Sequence, residues 1–485
     1  MRVLQLLGLS GVLAASFLSS NAFAGKASDA APAPAPQHNT EEPKIAEQSA
    51  GVSPTAAAAT LAAAAPVVKP KIGDVSVSGY LRGGFGASNQ KGRQTCFQLP
   101  SILGVSKYRL GNECEVWSET HFSMVAYADD EGTVATLHFM PTVFVPNTDI
   151  GYPPSSTISS PARFSTSTGA TLSFPNLYVD LKGIPWLAGG SAWVGNRYYK
   201  REAIYISDFF YWNPSGLGAG IEDINLGHDL RLSYAVFAMD GEPAASGGNF
   251  PQLPAQTDFG VRNDLQLRGI KPWQSGELQL GFQYIANYSN NPDTTSGWGA
   301  TLQFVQKLLG GDNKLAVQYG KAGGTGFGTL ARYYYPDFSL KHDPNESRIR
   351  VVDVLTIQPT EWFGSQVGLV YQHDDLAALG KQDWYSAGTR LSFGVAKNVK
   401  LLGEAGFDRV TKNNGAEPQW LGKFTFAPTL SAGRGLMARP ELRLYYTYAM
   451  WNVPARTQGI DSGLVYKETD LLAGSIFGLQ AETWF

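Results

Sequence analysis

The chain has 485 residues, 16% of them charged, and 38 Lys and Arg against 41 Asp and Glu leave a net charge of −3. A balance this close to neutral offers no basic surface and excludes nucleic acid as a partner. Gly at 54, Tyr at 22 and Phe at 25 describe a strand-rich chain with many turns and large rings, which argues against a helical enzyme.

At the start, Met1-Arg2, a largely apolar run from Val3 to Leu18 and the small-x-small pattern Ala22-Phe23-Ala24 form a signal peptide over residues 1–24. The mature protein is therefore expected to begin near Gly25, outside the cytoplasm. No later apolar run reaches the roughly 18 residues of a helical span, which leaves periplasm, medium or outer membrane. Residues 25–73 are rich in Ala and Pro, with APAPAP from Ala31 to Pro36, and carry no aromatic residue. Such a segment cannot bury a core and is expected to be a disordered periplasmic linker.

From Val75 onward the pattern has period two. In VSVSGYLRGGFG, Val75, Val77, Leu81 and Phe85 fall on one face, and Ser76, Ser78, Tyr80 and Arg82 on the other. The alternation returns in ELQLGFQY, where Leu278, Leu280, Phe282 and Tyr284 oppose Gln279 and Gln283, and in ELRLYYTYAM, where Leu442, Leu444, Tyr446, Tyr448 and Met450 oppose Glu441, Arg443 and Thr447. Strands of a soluble sandwich are usually about five or six residues long. Runs of about ten residues, ending in aromatics and separated by turn clusters, are the signature of a transmembrane barrel with an apolar outside and a polar inside. The final GLQAETWF is an amphipathic strand ending on Phe485.

The two cysteines, Cys96 and Cys114, lie 18 positions apart in an exported chain, so a disulfide is the default. Closing such a loop contributes roughly 3 kcal/mol and is expected to stiffen an exposed connection. The stretch RYYKREAIYISDFFYWNPSGLGAGIE from Arg197 to Glu222 mixes seven rings with six charges. That combination suits a sugar, whose C–H faces lie on rings and whose hydroxyls pair with charges; an aromatic belt at a bilayer surface is the competing explanation.

Chemistry leaves little trace. The six histidines are scattered, with no HExxH and no Cys/His cluster at zinc spacing, so no metal or cofactor is expected. Gly216-Leu-Gly218-Ala-Gly220 is a fragment of a dinucleotide motif and reads as a turn. Asp374-Asp375 and Glu41-Glu42 are sequence neighbours, which is no evidence for a glycosidase pair.

CFQ at Cys96 to Gln98 with KYRLGNECE at Lys107 to Glu115, RYYKREAIYISDFFYWNPSGLGAGIEDI from Arg197, and RPELRLYYTYAMW from Arg439 resemble the maltoporin family of sugar-specific porins. The resemblance covers Val75 to Phe485. It implies an all-β, 18-stranded antiparallel transmembrane barrel over residues 74–485, a homotrimer among outer-membrane lipid, and an inward-folded third loop that narrows the pore. Matched residue by residue, it implies a sugar slide of Tyr80, Trp117, Phe210, Tyr385 and Trp484 and a charged track of Arg82, Arg109, Arg201 and Asp208. Tyr385 takes a position where tryptophan is typical, and Phe210 one where a tyrosine is.

Three departures bear on specificity. Ala203 replaces the family's loop acid, with Glu202 beside it on the opposite parity, and Tyr205 stands where histidine is typical. No tryptophan occurs from Thr142 to Ser173 to reach a neighbouring pore, which leaves Phe144, Tyr152 and Phe164 as candidates. The expected function is facilitated diffusion of oligosaccharides, maltodextrin-like or sucrose-like, without chemistry on them. A general diffusion porin, and an outer-membrane hydrolase or receptor on the same barrel, remain as rivals.

Overall fold

In the computed structural model the described residues are 70–99, 107–146, 156–160, 163–166, 171–240, 259–288, 295–327, 343–377, 380–461 and 465–485. The expected leader over 1–24, and the linker up to residue 69, lie outside them. Residues 70–73 lead into the first strand, where the Gly73 N–H donates to the Val125 carbonyl at 2.8 Å.

The chain opens with β1 (Val75–Ser88), β2 (Glu115–Ala128) and β3 (Val134–Pro146). A small excursion, β4 (Ser156–Ser160) and β5 (Arg163–Thr166), precedes β6 (Thr171–Lys182) and β7 (Ser191–Arg197). Short β8 (Glu202–Ile204) and β9 (Phe209–Trp212) pair only with each other. Next come β10 (Gly216–Gly227), β11 (Leu230–Asp240), β12 (Phe259–Trp273), β13 (Gly276–Asn287), β14 (Gly297–Leu308) and β15 (Gly311–Lys321). The last staves are β16 (Ser347–Ile357), β17 (Phe363–Leu376), β18 (Gly380–Ala396), β19 (Val399–Lys412), β20 (Gln419–Ser431), β21 (Glu441–Trp451) and β22 (Ala473–Trp484). A short helix, α1 (Val453–Gly459), follows β21.

Without β4, β5, β8 and β9, eighteen strands form one closed antiparallel barrel. Closure is made by β1, which pairs with β2 on one side and β22 on the other, Tyr80 lying opposite Trp484. Phe485 seals the seam, its N–H donating to Gly79 at 3.0 Å while Gly79 donates back at 2.8 Å. A closed barrel leaves no strand edge unpaired, the condition for a sheet to survive in hydrocarbon.

The period-two reading of the strands holds. Along β21, Leu442, Leu444, Tyr446, Tyr448 and Met450 are exposed on the outside while Glu441, Arg443 and Thr447 are buried inside. Leu280, Phe282 and Tyr284 of β13 likewise face out, with Gln279 and Gln283 within. One rim carries two-residue turns at 228–229, 274–275, 309–310 and 397–398. Short turns of this kind face the periplasm in outer-membrane barrels. The opposite rim carries the long connections, among them 89–114 and 198–215.

The described residues of both connections turn into the barrel, which corrects the expectation of an exposed disulfide loop and a single inward segment. Phe97, Leu99, Tyr108 and Leu110 of the first connection are buried, because the lumen supplies apolar niches that water on the rim would not. A Cβ on Gly388 or Gly406 would come within 2.2 Å of the Tyr108 ring, so only glycine lets that ring lie flat on the wall. The Tyr108 hydroxyl completes the contact at 2.8 Å from Ser386.

Candidate functional site

The connection from Tyr198 to Ser215 forms the site's inner surface. Its apolar residues Ile204, Ile206, Phe209, Tyr211 and Trp212 are buried against the wall, and this burial holds the segment inside. Trp212 occupies the space a Cβ on Gly281 would need, Phe209 meets the Trp384 ring edge-on at 5.3 Å, and the Tyr211 hydroxyl donates to Gln303 at 2.7 Å. Within it, a turn over Tyr205–Ser207 ends on Asp208 in the left-handed region at φ 56°. The two inward connections are stitched together: Arg109 donates its backbone N–H to Ile206 at 2.9 Å, and Lys107 to Ser207 at 3.2 Å.

Asp208 is thereby set among cations, 3.3 Å from Arg82 and 3.7 Å from Lys107. Burial alone would raise its carboxyl, but Arg82, Arg109 and Lys107 outweigh burial and hold it well below the usual carboxylate range. Glu202, on the same connection, is also buried yet lowered by Lys314 and Arg268, at 2.7 and 3.2 Å. Glu202, beside Ala203, is thus engaged in anchoring the loop to the wall.

Four of the five expected slide residues line the inside. Trp117, Tyr80 and Trp484 stand on the adjacent strands β2, β1 and β22. Arg82 lies over the Trp117 ring at 5.8 Å, Arg109 over Tyr80 at 5.8 Å, and Arg439 over Trp484 at 4.5 Å. The Trp117 indole donates to Glu119 at 3.1 Å, and the Tyr198 hydroxyl reaches the same carboxylate at 3.5 Å. Phe210 sits on the inward connection, with the Arg201 guanidinium 4.9 Å from its ring and 3.4 Å from that of Tyr198. Phe144, at the end of β3, extends the row edge-on to Trp117 at 6.1 Å. Tyr152 lies outside the described residues, as does the side chain of Phe164.

Tyr385 does not belong to this row. It points outward, 39% exposed, with its ring 5.2 Å from that of Tyr371 on the neighbouring strand. The inward position on β18 is Trp384, 1% exposed, whose indole donates to Asp408 at 3.0 Å beneath Phe209. A one-residue shift on a strand exchanges the two faces, and the family match at DWYSAGTRL is one residue out of phase with the pleat.

The centre of the charged lattice is Glu482 of β22, a residue that no sequence motif singles out. Glu482 accepts from the Tyr80 hydroxyl at 2.7 Å and the Tyr205 hydroxyl at 2.6 Å, pairs with Arg109 at 3.2 Å and Arg439 at 2.9 Å, and meets Arg443. Tyr205, where the family carries histidine, so links the inward connection to the seam between β1 and β22. Arg439 comes from the turn 432–440 on the short-turn rim, which also folds inward: Leu436 is buried and its N–H donates to Gln358 at 2.7 Å. The motif RPELRLYYTYAMW contained Arg439, but nothing local in it signals a fold back into the lumen.

Cys96 and Cys114 are joined, with Cα atoms 5.9 Å apart. Their loop is knotted further by Asn112, whose side chain accepts from the Phe97 N–H at 2.8 Å and donates to the Phe97 carbonyl at 2.8 Å. Arg109, inside the loop, donates to Glu113 at 2.8 Å and to the Tyr80 hydroxyl. The bond therefore shapes a stretch that carries a track residue. Taken together, rings on one wall alternate with fixed charges at the level of the inward connections, and these offer stacking and hydrogen bonding to a passing solute. Among the described residues, no group of three or more His, Cys, Asp or Glu is placed to hold a metal ion.

The family model described as LamB porin matches residues 75–485. Among solved structures, the outer membrane protein OpdK from Pseudomonas aeruginosa is similar at 10% identity and TM-score 0.45, over 85% of this chain and 99% of its own. OmpT of Vibrio cholerae, in-vitro folded and in trimer form, gives 10% and 0.38 over 86% and 100%. OccAB4 of Acinetobacter baumannii gives 9% and 0.43 over 85% and 98%. Scores at that level decide nothing about the site.

Proposed function

Because the chain belongs to the LamB porin family, and so is an outer-membrane porin, we propose that its channel passes oligosaccharides by facilitated diffusion, with no chemistry performed on them. The observation that carries the reading is the alternation of Trp117, Tyr80 and Trp484 with Arg82, Arg109, Glu482 and Asp208 where the inward connections meet the wall. A pyranose has an apolar face for each ring and hydroxyls for each charge. Successive weak contacts of this kind admit a solute without trapping it. Phe210 and Arg201 form the opposing lip, and Phe144 is the outermost platform. We read the working unit as a homotrimer in the outer membrane, in line with the family resemblance, with the segment before residue 70 on the periplasmic side.

Added sugar is expected to reduce ion current through reconstituted channels in a saturable way, because a bound ring displaces the water and ions that carry current. Maltooligosaccharides, sucrose and other di- and trisaccharides compared in this assay rank the substrates. Linear, unsaturable passage of every sugar tested would replace the specific channel with a general diffusion porin.

A further inference from the structure

Further along β2 toward the short-turn rim, His121 follows Trp117 and Glu119 on the inward parity and meets His138 of β3. His138 Nδ1 lies 3.2 Å from His121 Nε2 and 3.0 Å from Ser123 Oγ, while its other nitrogen, Nε2, lies 3.1 Å from Asp180 Oδ1 on β6. Tyr178 stacks on the His138 ring at 4.3 Å with planes 9° apart, which fixes the ring's orientation. The second carboxylate oxygen of Asp180 is 3.2 Å from Lys182. None of these groups takes part in the row of rings described above.

We propose that His121 Nε2 and His138 Nδ1 form a two-nitrogen binding site for a divalent transition-metal ion in the channel wall. Two nitrogens each about 2.0–2.1 Å from an ion, and separated as these are, subtend roughly 100° at it, close to tetrahedral. The ring centroids are 5.2 Å apart, in keeping with the roughly 5 Å that two imidazoles sharing such an ion require. Asp180 stands where an outer carboxylate holds a metal-binding imidazole: it accepts from Nε2–H and so leaves the Nδ1 lone pair turned toward His121. Without an ion the two nitrogens share one hydrogen bond. Binding requires His121 to carry its proton on Nδ1, after which both lone pairs converge, with Ser123 and water available for the remaining positions.

The neighbouring cations Lys182 and Arg197 are each paired with a carboxylate. The Arg197 guanidinium, 4.7 Å from the Tyr178 ring, is paired with Glu222 at 2.8 Å. Paired imidazole donors select Cu2+, Ni2+ and Zn2+ over Mg2+ and Ca2+, which prefer oxygen. With two protein ligands the site is open and exchangeable. Its consequence is a fixed positive charge on the wall below the rings, which lowers cation conductance.

The test uses the full-length channel, washed with chelator, reconstituted in planar bilayers and titrated with NiCl2, ZnCl2 and, as control, MgCl2. Ni2+ and Zn2+ are expected to reduce cation conductance in a saturable, chelator-reversible way, and Mg2+ to leave it unchanged. His121→Ala and His138→Ala are each expected to raise the half-effect concentration at least about tenfold while leaving metal-free conductance intact, and Asp180→Asn about tenfold. His121→Gln, which keeps the side chain's bulk, repeats the loss should the alanine variants fail to insert. As a direct readout, Cu2+ bound to detergent-solubilised protein is expected to show hyperfine splitting from two nitrogens in its EPR spectrum, reduced to at most one in the His121→Gln variant. An equal response to Mg2+, or a Ni2+ response and two-nitrogen splitting unchanged in the histidine variants, would overturn the proposal.

Discussion

Two populations of rings occupy this barrel, and their surroundings differ more than their identities. Tyr80, Trp117 and Trp484 on the inside each lie under an arginine, and Tyr80 and Trp117 also donate to a carboxylate. Outside, Tyr371 with Tyr385, Phe407 with Trp420, and Phe282 with Trp298 lie ring against ring, at 5.2 to 6.4 Å. The difference teaches that ring content says nothing about function in such a fold. The parity of one residue on its strand decides whether an aromatic meets lipid or solute, and Tyr385 beside Trp384 is the clearest case.

The largest effect is expected where the inner population is held together. Glu482→Gln removes the carboxylate that faces Arg109, Arg439 and Arg443, leaving Arg109 with Glu113 and Arg439 and Arg443 to share Glu441 in a buried site. Such a loss costs about 3–5 kcal/mol, read as a fall in denaturant midpoint by gel mobility. If the midpoint were unchanged, the inner rings would be organised by something other than this lattice. No comparable single residue exists for the outer rings among the described contacts.

A smaller effect separates the two populations directly. Trp117→Ala is expected to weaken half-maximal sugar block about tenfold, or ~1.4 kcal/mol, with sugar-free conductance close to the parent's. Tyr385→Ala, which alters the outer face, is expected to leave block untouched. Should Tyr385→Ala weaken block as much as Trp117→Ala, the assignment of inside and outside on β18 would be wrong.

The smallest effect concerns pH. Because Asp208 is held below the usual carboxylate range, its contribution to the fold is fully present above the unfolded value of about 4 and is lost only as pH falls through the lower folded value. Ion selectivity of the parent and of Asp208→Asn should therefore differ by a constant amount from pH 7 down to about 4. A difference that fell to about half by pH 4 would mean that Asp208 titrates as an ordinary carboxylate and that its cations do not grip it.

Much of the architecture was legible in the residues alone, because a strand's alternation is a local property that neighbours two apart express together. Tyr80 and Arg82 on one face, the outward Leu442 to Met450 series and the amphipathic last strand all follow from it. The pairing of Cys96 with Cys114 needed only spacing and compartment. What required the tertiary structure was every relation that depends on closure. Tyr80 and Glu482 are 402 positions apart and meet only because β1 and β22 seal the barrel. The inward course of residues 107–114, with Tyr108 against Gly388 and Gly406, depends on niches in strands nearly three hundred positions away. Sequence determined which residues could face the lumen; which of them touch was decided by the barrel, since a buried charge or ring settles where a distant partner compensates its desolvation.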